Sequence, residues 1–168
     1  YMLGYFVTSK TTIATAHGRH DNKPLQVSPN GDHYAGKLVV VVDSGSASAA
    51  EIFARTVQLQ HLGTVVGDRT AGAVMEAVAY TMQFGDFQAG SAVFYGASIT
   101  RDNLIMTDGQ SLENVGVTPD VPALEGAVDL AAGRDMVLAR AVQVAGGHGD
   151  PVALAQDFPV FWLPYRLH

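Results

Sequence analysis

The pattern of apolar and polar positions predicts a strand–helix–strand unit in the middle of the chain. Residues 37–43 (KLVVVVD) form a short, continuous, β-branched run, which is typical of a strand covered on both faces of a parallel sheet. Residues 51–61 then place their apolar side chains on one face of a helix of about three turns. Residues 64–67 (TVVG) predict the next strand. This order is that of a βαβ unit.

Extended segments flank this unit on both sides. Residues 11–16 (TTIATA) predict a strand, and the Gly-, Pro- and Asn-punctuated residues 17–33 predict a loop or an irregular hairpin. Residues 74–84 and 91–100 read as two strands on either side of a glycine-bounded turn. We therefore expect an antiparallel excursion after the βαβ unit.

The two ends of the chain carry different signals. Asp135 predicts an N-cap for a helix over 136–145, which ends at Gly146. Residues 149–168 are rich in proline and aromatic residues, and we expect them to wrap over a surface. The apolar run at 1–7 (YMLGYFV) indicates a piece of a longer domain whose exposed apolar surface drives self-association, making a homo-oligomer a candidate state.

Composition narrows the function classes. The 168 residues correspond to about one domain, and 48% apolar against 15% charged residues allows a substantial core. A net charge of −6 disfavours nucleic acid as a partner. The absence of cysteine excludes disulfides, thiolate metal sites and cysteine nucleophiles. No apolar stretch is long enough for a membrane span, and no metal-ligand spacing is present, so we expect neither a metal nor another cofactor.

The segment 43–51 (DSGSASAAE) offers the strongest candidate chemistry. It follows a strand and opens a helix, so a serine at the helix start lies beside unpaired N–H groups that favour developing negative charge. The competing interpretation is structural: Ser48 and Glu51 have capping-box spacing, a routine helix start. Spacing alone favours the cap.

Four motifs, taken in their order along the chain, favour the catalytic interpretation of Ser48 over the helix cap. Residues 39–58 (VVVVDSGSASAAEIFARTVQ), 64–72 (TVVGDRTAG), 114–121 (NVGVTPDV) and 133–143 (GRDMVLARAVQ) resemble the S41 peptidases, the family of C-terminal processing, tail-specific and tricorn-like serine proteases. The resemblance implies an α/β, Clp/crotonase-like spiral of βα units and a polypeptide substrate. For bacterial members it also implies an extracytoplasmic location.

The resemblance also implies a division of the chain. Residues 1–147 would be the C-terminal portion of a catalytic domain, and 148–168 a tail. It makes Ser48 the nucleophile and the backbone N–H of Ala49 an oxyanion donor. The second donor would come from a glycine-rich segment that this chain lacks.

This assignment also requires a general base, because a serine hydroxyl is a weak nucleophile unless a base lies within hydrogen-bond reach. The processing subgroup uses a lysine at a position that is Ala73 here, so that dyad is excluded. The tricorn-like branch uses an upstream Ser-His pair and a glutamate in a motif that residues 113–120 (ENVGVTPD) match. This assigns the orienting role to Glu113, whereas Asp120 is expected to fix the loop.

None of the six histidines is a strong candidate for the base. His61 lies about 20 Å along the helix from Ser48, and His17 and His20 are the only weak geometric candidates. We therefore expect the isolated chain to have little peptidase activity. Two other classes stay open: a non-catalytic relative that binds a peptide or an apolar small molecule and, with less support, an acyl-CoA enzyme of the crotonase type.

Overall fold

A computed structural model describes residues 2–86 and 91–157 as a mixed α/β structure. Along the chain its elements are a 3₁₀ helix Met2–Tyr5, β1 Thr11–His17, β2 Asn22–Val27, β3 Val39–Val42, α1 Ala49–Leu59, β4 Thr64–Gly67, β5 Glu76–Asp86, β6 Ser91–Met106, β7 Val121–Pro122, α2 Ala127–Ala131, α3 Met136–Ala145 and α4 Pro151–Asp157. Within these ranges, no helix combines the length and the apolar character needed to cross a bilayer.

Strands β3, β4 and β7 form a parallel sheet in that order. Helix α1 connects β3 to β4, which confirms the predicted βαβ unit. Central β4 is buried from Val65 to Gly67, with Val65 and Val66 at 0% exposure. Within the described residues β3 pairs with β4 alone, so it is an edge strand, and the side chain of Val41 on one of its faces is 48% exposed. The prediction that this strand is covered on both faces is wrong at Val41.

The second sheet is antiparallel, with the order β2-β1-β6-β5. Strands β1 and β2 form the hairpin that the polar stretch left undecided. Strand β1 pairs with only the last part of β6, residues 103–106, whereas β5 pairs with β6 along its whole length. Residues 77–86 and 91–100 consequently form a two-stranded ribbon beyond the sheet, which we call the arm.

The core lies between the two sheets and α1. Its fully or nearly buried apolar residues include Ile13, Ala14, Val42, Ala54, Val57, Val65, Leu104, Met106, Leu112 and Val117. Leu3 and Val7 also belong to it, so the N-terminal run is not the exposed patch that its sequence suggested. Only part of that run, notably Met2 at 67% exposure, faces outward.

The C-terminal helices partly follow the sequence expectations. Asp135 caps α3 by accepting a hydrogen bond from Leu138 N–H at 2.6 Å, and Gly146 ends the helix with φ 96°, as predicted. Helix α3 contacts β3 and β4. Within the segment expected to wrap over a surface, Pro151–Asp157 forms α4, whose first turn is capped by Asp150 and which packs against α3. Residues 158–168 lie outside the described part of the chain.

Candidate active site

A compact turn joins β3 to α1 and carries the candidate nucleophile. The carboxylate of Asp43 accepts hydrogen bonds from Gly45 N–H at 3.0 Å and from the Ser46 hydroxyl at 2.8 Å. The Ser46 N–H closes the turn on the Asp43 carbonyl at 3.0 Å. The small residues of this segment therefore allow the chain to reverse within a few positions and enter the helix at Ser48.

Ser48 has an unusual backbone conformation. Its φ of 56° and ψ of −118° lie in a region that residues other than glycine rarely occupy, and such strain concentrates at functional sites. The residue is exposed, and no hydrogen bond from its side chain caps α1. The strand-to-helix turn thus presents the Ser48 hydroxyl to the outside instead of using it as a helix cap.

The capping-box interpretation is only half right. Its sequence pattern is present, and the Glu51 side chain does accept a hydrogen bond from the Ser48 N–H, at 3.0 Å. The Glu51 N–H, however, donates to the backbone carbonyl of Ser48 at 3.0 Å. The positive φ of Ser48 explains the difference, since an ordinary N-cap residue adopts an extended conformation.

An N–H donor lies directly after Ser48. Ala49 is the first residue of α1 and is exposed, and its N–H makes no hydrogen bond within the described residues. The first N–H groups of a helix have no intrahelical acceptor and carry the positive end of the helix dipole. The turn therefore places one donor for a negatively charged oxygen next to the Ser48 hydroxyl.

Glu51 is the buried centre of the site. Its side chain is 0% exposed, and its Oε1 accepts hydrogen bonds from the Thr70 hydroxyl and, at 2.8 Å, from Gly72 N–H. Its Oε2 accepts from Ala73 N–H at 2.9 Å and from Ser48 N–H. We call these five residues the Glu51 clamp. It ties the Ser48 turn to the 70–73 loop through one carboxylate.

The clamp also determines the charge of Glu51. Burial alone would raise the pKa of this carboxyl, because it disfavours the ionised form. The hydrogen bonds from the Thr70 hydroxyl and from the N–H groups of Ala73, Gly72 and Ser48 outweigh that effect and hold the pKa below its usual value. Glu51 is therefore a buried carboxylate stabilised by donors, not by a cation.

The glycines of the 67–72 motif allow this loop to pack closely. At Gly67, φ is 133° and a Cβ would lie 1.9 Å from the carbonyl oxygen of Val42, so only glycine fits. Thr70 continues the packing towards the 113–120 segment, because its hydroxyl accepts a hydrogen bond from Val117 N–H at 2.6 Å. The loop is thereby fixed to β3 on one side and to the downstream motif on the other.

Ala73 occupies the position at which the resemblance implies a lysine base in the processing subgroup. Its carbonyl oxygen accepts a hydrogen bond from Ser48 N–H at 2.9 Å, so this position adjoins the candidate nucleophile. A methyl group is present there in place of an amine. An open apolar cavity of about 510 Å³ adjoins the turn and is lined in part by Ser46, Ala49 and Ala50.

Glu113 reaches the same neighbourhood through the backbone. Its Oε2 accepts hydrogen bonds from Val74 N–H at 2.7 Å and from Met75 N–H at 3.1 Å, directly after Ala73. The side chain is half-buried, and within the described residues no hydrogen bond ends on its Oε1. Ser48 and Glu113 are thus connected through one short stretch of chain, although no direct bond joins them.

The other acidic residue of this motif fixes the loop. Asp120 accepts hydrogen bonds from the Gln58 side chain at 2.9 Å and from Val65 N–H at 2.8 Å. It joins the loop to α1 and β4, and each of its two carboxylate oxygens accepts one of these hydrogen bonds. This geometry agrees with the structural role expected from the sequence.

The described histidines lie on the surface. His61 follows the C-terminal end of α1, opposite the end that begins at Ser48, and His17 ends β1. Both are exposed, as are His20, His33 and His148. His168 lies outside the described residues. None of the described histidines makes a side-chain hydrogen bond to Ser48.

Sequence reasoning missed the role of Thr70 and understated that of Glu51. A signal for Glu51 was available: it lies three residues before Ala54 and six before Val57, on the buried face of α1. An ionisable residue on that face needs donors from another segment. Thr70 carries no such signal, because its partners lie far away in sequence.

Comparisons with known proteins agree with the fold and the motifs. The model of peptidase family S41 matches residues 1–123. A Streptomyces coelicolor protein named as a tricorn protease homolog is 34% identical over 125 residues, which cover 74% of this chain and 10% of that protein. A carboxy-terminal-processing protease of Bartonella bacilliformis is 26% identical over 133 residues, covering 77% of this chain and 28% of that protein.

A solved structure from Parabacteroides merdae, described as a peptidase, superposes with a TM-score of 0.66 at 18% identity. The superposition covers 88% of this chain and 47% of that chain. The α/β architecture is thus the Clp/crotonase-like fold expected from the motifs. The chain spans about a tenth to a quarter of the length of the two curated relatives, and about half of the solved structure.

Proposed function

This chain belongs to peptidase family S41, and from that premise we propose that it supplies the nucleophile side of a serine endopeptidase site. The Ser48 hydroxyl oxygen attacks the carbonyl carbon of a peptide bond, and its proton passes to a base. The resulting oxyanion accepts a hydrogen bond from the Ala49 N–H. Collapse of this intermediate releases the amine and leaves an acyl-serine, which water hydrolyses.

The observation that carries the proposal is the conformation of Ser48. A serine that only caps a helix has an extended backbone and a bonded side chain. Ser48 instead has φ 56° at an exposed strand-to-helix turn, with an unused N–H at the next residue. A strained serine between a strand and a helix is the arrangement that other hydrolases use to project a nucleophile.

The tricorn-like branch is favoured over the processing subgroup. Ala73 adjoins Ser48 where a lysine base would be needed, and Glu113 accepts a hydrogen bond from the N–H of the next residue, Val74. A 34% identical relative is also named as a tricorn protease homolog. In this proposal Glu113 orients the base through a serine that residues 1–168 do not provide. The 168-residue chain by itself therefore hydrolyses peptides slowly or not at all.

Active-site labelling of the full-length protein tests this assignment. A fluorophosphonate probe is expected to form one adduct, which peptide mapping places on Ser48. The Ser48→Ala variant loses the adduct, whereas the matched control Ser46→Ala retains at least part of it. An adduct that persists in Ser48→Ala would contradict the nucleophile assignment.

A second candidate function rests on the same position, Ala73. Without a lysine beside Ser48, the chain could belong to a non-catalytic S41 protein that binds a peptide or an apolar small molecule. The open apolar cavity next to Ala49 and Ala50 supplies a surface for such a ligand. If the full-length protein stays unlabelled but binds unstructured peptides, this alternative replaces the peptidase proposal.

A further inference from the structure

The arm receives no strand pairing from the rest of the described chain. Along 77–86 and 91–100, each strand is paired only with the other, because β1 stops at residue 103 of β6. The paired length corresponds to about 30 Å of extended chain. A two-stranded ribbon of this kind is at best marginally stable in water unless a third element packs against it.

One face of the arm is apolar. Cross-strand partners in an antiparallel pair share a face, as in Tyr80 with Ala97, Met82 with Tyr95 and Phe84 with Val93. That apolar face consists of Val78, Tyr80, Met82, Phe84, Val93, Tyr95, Ala97 and Ile99. The opposite face consists mainly of small and polar residues: Ala77, Ala79, Thr81, Gln83, Phe94, Gly96, Ser98 and Thr100.

The apolar face lies open. Phe84 is 76% exposed, Val93 61% and Tyr95 54%. An apolar patch of this extent on a folded chain marks an interaction surface. Among the eight residues of the opposite face, Phe94 is the large apolar one, at 65% exposure, so the apolar area lies mostly on one side. A partner would therefore pack flat against that side.

We propose that this face binds the same face of a second copy of the chain. Residues 77–85 and 92–100 contain no charged side chain, so the face offers nothing for an acidic or basic partner to recognise. For the same reason two copies brought together by a two-fold axis bury no like charges. Such an isologous contact is the commonest arrangement in homodimers.

The available area is consistent with a dimer. Large side chains offer about 150 to 250 Å² each, and the six large exposed ones on this face contribute roughly 600 Å² per copy. Two copies together bury about 1,200 Å², the lower end of stable interfaces. A dimer of this size is expected to dissociate in the micromolar range.

Sedimentation velocity from about 1 to about 100 µM measures this association, a range that brackets a micromolar Kd. The wild-type chain is expected to change from monomer to dimer. Met82→Lys should weaken the dimer by at least about tenfold, because it buries an unpaired charge. The matched control is Thr81→Lys, an adjacent residue on the opposite face, which should alter Kd by less than about twofold.

A mixing experiment provides an independent test. If Met82→Lys and Met82→Glu are each monomeric, an equimolar mixture of the two should recover association through opposite charges. Circular dichroism shows whether each variant is folded. Should a charged variant fail to fold, Phe84→Thr near the tip is the second variant, and the same loss of the dimer is expected.

If something other than a second copy covered this face, the association measurements would give different results. A chain that is monomeric at about 100 µM overturns the proposal. So does equal dissociation by Thr81→Lys, which would place the contact elsewhere. Residues 158–168 are themselves apolar and aromatic. If they cover the face, removing them should create a dimer from a monomeric chain, whereas our proposal expects the truncated chain to dimerise like the wild type.

Discussion

The Glu51 clamp and the arm are built on opposite principles. In the clamp, one buried carboxylate satisfies donors from two distant segments, and glycines let the backbones approach closely. In the arm, the ladder between β5 and β6 is regular, but one apolar face lies open and, among residues 2–86 and 91–157, no further strand pairs with either outer edge of the arm. The clamp depends on tertiary contacts, and the arm depends on local pairing.

The two regions begin within a few residues of each other. Ala73 is the last residue of the clamp and Ala77 the first of the arm, with Val74 and Met75 held between them by Glu113. A strained serine needs a rigid surrounding to keep its conformation, whereas a recognition surface can have low local stability. The comparison therefore predicts that substitutions in the clamp affect global stability and those in the arm do not.

The largest effect is expected at Gly67, which is not itself a clamp residue but begins the loop that carries the clamp donors Thr70, Gly72 and Ala73. In Gly67→Ala the new Cβ would meet the Val42 carbonyl oxygen, and its φ of 133° is unsuited to alanine. We expect a loss of about 4 kcal/mol or more in the free energy of unfolding, or an insoluble chain, as measured by urea denaturation. Gly96→Ala in the arm is the control, and its cost should stay below about 1 kcal/mol. Equal losses would remove the distinction between the regions.

Glu51→Gln should produce the next largest effect. The amide keeps the volume but turns an N–H₂ group towards backbone donors, which should cost about 3 kcal/mol at pH 7. The pKa of Glu51 is lowered on folding, so the unfolded chain takes up the proton first as the pH falls. The carboxylate's stabilisation is therefore complete above the ordinary glutamate pKa of about 4.5 and is lost below it.

The measurement is the urea midpoint between pH 7 and pH 3. The wild-type chain should lose more stability than Glu51→Gln as the pH falls below that ordinary value. Parallel curves for the two proteins would show that Glu51 binds a proton equally in the folded and unfolded states. Glu76→Gln, at an exposed carboxyl at the start of β5, is the matched control and should follow the wild-type curve.

Glu113 tests the boundary between the two regions. Glu113→Ala removes the acceptor of Val74 N–H and Met75 N–H at a half-buried position, which should cost about 1 to 2 kcal/mol. Hydrogen exchange is expected to accelerate at the base of the arm, while the amides of Gly72 and Ala73 stay protected by Glu51. Accelerated exchange at Gly72 and Ala73 as well would show that the clamp and the arm open together.

Much of this organisation could be predicted from local patterns. The β-branched run at β3, the helix over 136–145 and the strands of the arm are each specified by residues close in sequence. The structure has the first two and β5 within about two positions of the prediction, whereas β6 continues six residues beyond the predicted end at 100, to Met106. These elements depend on periodicity and caps, which a single sequence displays.

The clamp could not be predicted in the same way. The hydrogen bonds from Thr70 and Gly72 to Glu51 join positions about twenty residues apart, and the positive φ of Ser48 has no signal in the neighbouring sequence. Capping-box spacing suggested a bonded Ser48 side chain because local rules ignore such tertiary donors. The family resemblance assigned roles to Ser48 and Glu113, but the reason for their positions lies in the packing.

The smallest effect is expected at Phe84, near the tip of the arm. Its side chain is 76% exposed, so Phe84→Thr gives up little buried area in the monomer, and threonine keeps a preference for strands. At about 1 µM protein, where the monomer dominates, the free energy of unfolding should change by about 0.5 kcal/mol or less. Val57→Ala in the core, at 0% exposure, should cost about 2 kcal/mol in the same experiment. If Phe84→Thr were as costly as Val57→Ala at this concentration, the apolar face would already be packed within a single copy, and the arm would belong to the core in the same sense as the clamp.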